Sequence, residues 1–147
     1  MNRRIAAIAA SQHGLVTREQ ALAAGVSPQT IQRRVADGSW QRVHSGVYAL
    51  AGSRRSPEQT IRAACLAAGP DAAASHGTAA GLHLLPAGNS QIHVSIPATR
   101  KVKLEAVTIH RPASLDRVDK EIKKGIPVTS VARTIIDLFD DAPAPAA

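Results

Sequence analysis

Apolar positions recur with a helical period from the first residues. Ile5, Ile8 and Ala9 stand at i, i+3 and i+4 behind Asn2, whose side chain can cap a helix, and the pattern ends near Gly14. A short apolar link, Leu15-Val16, leads to Thr17. Thr17-x-x-Gln20 has the form of a capping box, so a second helix is predicted through Ala21, Leu22 and Ala24 to Gly25. Ser27 caps a third, with Pro28 at its first position, where the missing N–H costs nothing; Gly38 ends it. Two helices joined by the tight Gly25-Val26-Ser27 turn make a helix-turn-helix. Residues 40–44 and 47–50, around Ser45-Gly46, predict a hairpin with His44 opposite Val47 and Val43 opposite Tyr48. In that register Val43, Tyr48 and Leu50 share the inner face, while Arg42, His44 and Ala49 point outward. Three helices followed by a two-stranded ribbon is the order of a winged helix.

The pattern then changes. Ser53-Arg54-Arg55 reads as a linker, and Ser56-Pro57-Glu58-Gln59 as a helix start, with burial of Ile61, Ala64, Cys65 and Ala68 before Gly69-Pro70. A further helix is predicted from about Gly77 to Leu85. Ile92, Val94 and Ile96 alternate as in a half-buried strand. Leu104 and Ala106, then Val107 and Ile109, suggest one or two more strands with a phase slip near Glu105. Ile122 and Ile126-Pro127-Val128 flank a Lys123-Lys124-Gly125 turn, and a last helix runs from about Ser130 to Phe139, burying Val131, Ile135 and Leu138. The expected organisation is α+β throughout. Residues 1–52 form a winged helix-turn-helix, 53–55 a linker and 56–140 a small α+β domain for a partner, and 141–147 a disordered Pro/Ala tail.

Composition sharpens this picture. The chain has 147 residues, enough for one ordinary domain or two small ones; 28 are Ala and only Trp40, Tyr48 and Phe139 are aromatic. Small, closely packed helices fit that content better than a large sandwich core. No stretch approaches the ~20 apolar residues of a membrane helix. The basic start Asn2-Arg3-Arg4 precedes too short an apolar segment for a secretory signal. A single cysteine excludes an internal disulfide framework, and the expected location is the cytoplasm. Charge is uneven. Residues 1–55 carry eight Arg and no Lys against Glu19 and Asp37, net +6, whereas residues 56–147 carry ten basic and nine acidic groups, net +1. A basic half fused to a neutral one suggests that the first half meets a polyanion.

On the third helix, Ile31 and Val35 mark the buried side. Gln29, Thr30 and Arg33 lie opposite, with Gln32 and Arg34 on the flanks. Such a long polar face suits a major-groove reader, since Arg bonds guanine bidentately and Gln does the same with adenine. Arg42, His44, Arg3, Arg4 and Arg18 complete the expected DNA-binding set as phosphate contacts. Metal binding is not expected. His76 and His83 are two helical turns apart, but no HxxxH or CxxC pair exists, and His93 and His110 read as exposed strand positions. Nor is catalysis expected. There is no phosphate-binding glycine loop, Asp116 to Lys124 reads as a solvated mixed-charge stretch, and Asp137, Asp140 and Asp141 sit at a helix end. Cys65 reads as a core thiol, and no cofactor is implied.

Gly14-Leu-Val-Thr-Arg-Glu-Gln-Ala, Gly25-Val-Ser, Ile31-Gln-Arg-Arg-Val and Arg42-Val-His-Ser-Gly-Val-Tyr resemble the N-terminal winged helix of AbiEi-type abortive-infection antitoxins. Ser75-His-Gly-Thr-Ala-Ala-Gly-Leu and Gly125-Ile-Pro-Val-Thr-Ser-Val-Ala-Arg-Thr-Ile-Ile-Asp-Leu resemble segments that follow that domain. The resemblance implies a repressor of its own promoter that counters a nucleotidyltransferase-like toxin. Similar N-terminal regions also precede repair-endonuclease-like domains; a chain ending at Ala147 is expected to carry none. The alternatives are a protein-interaction module with only nonspecific nucleic-acid affinity, or the DNA-binding portion of a longer nuclease-like protein.

Overall fold

The structure, a computed structural model, describes residues 2–86 and 90–141. The architecture is α+β, in two compact units, 1–67 and 68–147.

In the first unit, local capping sets the helices. Asn2 accepts from the Arg4 N–H at the start of α1 (Arg3–Ser11). Thr17 and Gln20 form the expected reciprocal box at α2 (Arg18–Ala23), and Ser27 with Pro28 opens α3 (Pro28–Ala36). Each such cap contributes about 1 kcal/mol. Leu15–Thr17, expected as a link, is a strand, β1. It pairs antiparallel with β3 (Val47–Leu50), which also pairs with β2 (Trp40–His44), giving the order β1-β3-β2. Ile5, Val16, Ala21, Ile31, Trp40 and Tyr48 form the core between the helices and one face of this sheet.

The hairpin differs from expectation by one residue. His44 does face Val47, but Arg42 rather than Val43 faces Tyr48, because a bulge falls between Arg42 and His44. One extra residue switches the face of all that follows. Val43 therefore joins Leu15, Val47 and Ala49 on the other face, and Ala49, expected outside, is fully buried there.

That second face is covered by α4 (Pro57–Ala68), through Ala63, Leu66 and Ala67. The helix is clamped by Gln59, itself buried, whose side-chain N–H donates to the His13 carbonyl (2.8 Å) and to Ser53 Oγ (3.1 Å). The division of the chain thus falls after residue 67, not at 53–55. The expected linker lies within the first unit because the sheet is apolar on both faces and needs cover on both.

The second unit is a five-stranded mixed sheet in the order β6-β5-β4-β8-β7, with α5 (His76–Leu82) packed on α6 (Val131–Asp141). Its strands are β4 (Ala73–Ala74), β5 (Ile92–Ser95), β6 (Val107–His110), β7 (Lys120–Lys123) and β8 (Ile126–Thr129). Lys124 and Gly125, both at positive φ, make a two-residue turn between β7 and β8, and Lys123, expected in the turn, ends β7 opposite Ile126. Only one strand follows the phase slip: residues 104–106 hold no strand, and Ala106 turns at φ +61°. α5 stops at Leu82, short of Leu85, because Leu84 adopts a left-handed conformation and the Leu85 N–H closes onto the Ala80 carbonyl.

α6 is turned relative to expectation. Thr134 and Asp137 are buried, while Val131, Ile135, Ile136 and Phe139 are exposed. The buried polar pair is satisfied: Thr134 Oγ1 lies 2.7 Å from Thr129 Oγ1, and Arg133 Nε donates to Asp137 Oδ1 at 2.9 Å. The tail expected over 141–147 lies outside the described residues except for Asp141, which is helical.

Candidate nucleic-acid interface and a histidine cluster

α3 is pinned from behind by Ile31 and, less deeply, by Val35. Gln29, Gln32 and Arg33 are exposed at i, i+3 and i+4, so they share one outward face. Two residues expected beside them are engaged in the fold. Thr30 Oγ1 accepts from Ser27 Oγ (2.9 Å) within the cap, and Arg34 lies over Trp40, its Cζ 5.8 Å from the ring centroid. Asp37, just beyond α3, accepts from the Ser39 hydroxyl (2.5 Å) and the Ser39 N–H (2.8 Å). Those bonds, and then Arg34 and Arg33, hold its carboxyl below the usual carboxylate range.

Arg3, Arg4 and Arg18 are exposed at helix starts. Asn2 Nδ2 donates to the Ala24 carbonyl, joining the start of α1 to the end of α2, and the Arg18 N–H donates to the Gly46 carbonyl at 2.8 Å, placing α2 against the wing turn. Arg42 is exposed on the wing. His44 is half-buried and, across the bulge, shares the α4-side face with Val47 instead of the Arg42 face. The expected pairing of Arg42 and His44 on one outer surface is therefore corrected.

In the second unit His76 opens α5 after Ser75, whereas His93 and His110 depart from their expected exposed roles. His76 (α5), His93 (β5) and His110 (β6) form one stack. The His76 and His110 rings lie 3.6 Å apart and 14° from parallel, and His93 Nδ1 is 2.9 Å from His110 Nε2. Parallel pairing sets His93 beside Thr108 and Ser95 beside His110, so neighbouring strands bring the rings into reach. His76 is 8% exposed; its Nδ1 is 2.9 Å from Ser75 Oγ, which accepts from Ser95 Oγ (2.7 Å), and its Nε2 faces Asp141 at 3.8 Å. Burial, then the neighbouring rings of His76 and His93, push His110 down to about 4; burial and His76 also lower His93. The strand histidines are not simply exposed. No local spacing marks this cluster, because its members come from four separate elements.

His83 does not join it. Its Nε2 donates to the Thr129 carbonyl at 2.7 Å, leaving Nδ1 toward Lys123 Nζ at 3.4 Å. Cys65 is buried, as expected.

Among the described residues no helix is long and apolar enough to cross a membrane. No curated protein matches the chain. Residues 3–51, which span α1 through the wing, match the family described as transcriptional regulator, AbiEi antitoxin.

Proposed function

We propose that the first unit binds double-stranded DNA and represses its own operon, with no catalytic activity and in the cytoplasm. The observation that carries this is the exposed Gln29-Gln32-Arg33 face on a capped, core-anchored helix, in a half-chain of net charge +6 whose winged helix matches a regulator family. α3 enters the major groove, with Gln29, Gln32 and Arg33 at base edges. Arg3, Arg4, Arg18 and Arg42 take phosphates, which position the protein without reading sequence. Thr30 and Arg34 support the helix. His44 belongs to the wing's inner packing. The test is a gel shift with the chain's own upstream DNA against unrelated competitor. A preference of at least ~10³ is expected, and equal affinity for both sinks the regulator reading in favour of a nonspecific binder.

The second unit we propose as the contact for a nucleotidyltransferase-like toxin. The supporting observation is the apolar stripe that α6 leaves exposed, with Phe139 at 77% and Ile136 at 56% exposure. Such a patch suits a protein partner and not a polyanion. Co-purification with the product of an adjacent toxin gene is expected to weaken in Phe139→Glu. Two folded proteins that fail to associate would refute the assignment.

A further inference from the structure

We infer that the second unit binds one divalent transition-metal ion of the zinc class through His76, His110 and Asp141. Each of the three offers one ligand atom, and these atoms lie within 4.8 Å of one another. In a tetrahedral zinc site, bonds of 2.0–2.2 Å set ligand atoms about 3.3–3.6 Å apart, so a pair at the full 4.8 Å must close by about 1.2–1.5 Å. Asp141 ends α6 with its side chain 56% exposed, and is free to close in. The His76 and His110 rings are stacked 3.6 Å apart and 14° from parallel, so ligation requires them to swing out of the stack and turn a nitrogen lone pair each toward the ion.

The surroundings hold both imidazoles in place. Ser75 holds His76 by Nδ1 and leaves Nε2 toward Asp141, while Ser95 holds Ser75 in turn. His93 holds His110 in the same manner. Partners of this kind fix the tautomer and direction of metal-bound histidines. His76 also sits at φ +50°, uncommon outside glycine, and such outliers cluster at functional sites. Two imidazoles and one carboxylate select Zn²⁺, Co²⁺, Ni²⁺ or Cu²⁺ over Mg²⁺ or Ca²⁺, and leave a fourth position for water. The Lys123 ammonium rules out the same reading at His83.

The experiment is a Co²⁺ titration of the tag-free full chain, followed by visible absorbance, with Zn²⁺ and Mg²⁺ as competitors. One equivalent should bind, be displaced by Zn²⁺ and be indifferent to Mg²⁺. His76→Ala, His110→Ala and Asp141→Asn should each weaken binding by more than ~10-fold, and His13→Ala, in the other unit, should leave it unchanged. His93 is a positioning residue. His93→Ala should cost about 10–100-fold, with partial rescue by His93→Gln, whose amide can still hold His110. Asp141→Asn, at an exposed helix end, keeps the test decisive if a histidine variant fails to fold. Folded protein that binds no Co²⁺ saturably, full affinity in Asp141→Asn, or equal competition by Mg²⁺ would each overturn the site.

Discussion

Acid should loosen the second unit through one ring. His110 is held near 4, against an ordinary 6.5, first by burial and then by the rings of His76 and His93, with Asp141 and Asp137 opposing. The unfolded chain takes up that proton near 6.5 while the folded chain resists it to about 4. Between those values the unfolded state binds more protons, so stability rises with pH. The contribution is complete above 6.5 and is lost as pH falls toward 4. At about 1.36 kcal/mol per pH unit the fully shielded figure is about 3.4 kcal/mol. The ring is only half-buried, and solvent screening brings that to about 1–2 kcal/mol. His93, lowered by the same causes, acts in the same direction. Urea unfolding with a chelator present, from pH 7.5 to 4.5, measures the loss directly. Imidazole proton resonances give the midpoint for each ring. His110→Gln should flatten the pH dependence, and Asp141→Asn, by removing a charge that favours the imidazolium, should lower the His110 midpoint further. A His110 resonance titrating at 6.5 in the folded protein, or an unchanged slope in His110→Gln, refutes the reasoning.

Arg33→Ala should lower the preference for operator over competitor DNA by about 1–3 kcal/mol, whereas Arg34→Ala, which releases a cation–π contact with Trp40, should act on stability; equal operator preference in Arg33→Ala and wild type removes Arg33 from the reading set. Arg42→Ala should weaken specific and random DNA alike and flatten log K against log salt by about 0.9, and an unchanged slope means the wing does not lie on the backbone. Gly14→Ala should destabilise by about 2–4 kcal/mol, since Gly14 sits at φ +84° and an added Cβ would stand 2.3 Å from Ser53 Cβ. Gly25→Ala, at φ +90° in open space, should cost about 1 kcal/mol, and equal losses in a urea melt would show that the contact with Ser53 is immaterial.

What was legible in the sequence was local. Asn2, the Thr17/Gln20 box, Ser27-Pro28 and Ser56 act within four residues of where they stand, and all four helix starts fall where those residues place them. The exposed Gln29 and Arg33 followed from the same helical period. What was missed depends on pairing between distant segments. Leu15-Val16-Thr17 is too short to show alternation, and Val47-Tyr48-Ala49 is apolar without interruption, the mark of a strand buried on both faces. The bulge at Arg42/His44 has no signature in residue type. On α6, hydrophobicity pointed to the wrong side because Thr134 and Asp137 are buried with their hydrogen bonds satisfied. The histidine cluster joins residues 17 and 31 positions apart: the parallel β5–β6 pairing brings His93 to His110, and the packing of α5 on β5 and α6 adds His76 and Asp141.

The two-faced wing sheet has a consequence for where the DNA-binding unit ends. A fragment stopping at residue 52 keeps every expected element of the winged helix but loses α4. Leu15, Val47 and Ala49, now 0–2% exposed, would then face water on the side where Ala63, Leu66 and Ala67 covered them. Uncovering a buried Leu and Val costs about 1.5–3 kcal/mol each, less what partial exposure spares, so a loss of about 3–5 kcal/mol is expected. The His13 carbonyl also loses its bond from Gln59, and Gln12 the contact from Arg62 at 3.4 Å. Against a total stability of about 5–15 kcal/mol for a domain, that is enough to leave the short fragment partly unfolded at room temperature. Residues 1–67 should by contrast melt cooperatively. Trp40, buried in the core and the sole tryptophan, reports both transitions by fluorescence. If 1–52 and 1–67 unfold at the same urea midpoint, α4 is not part of the folding unit, and the boundary belongs at 53–55 after all.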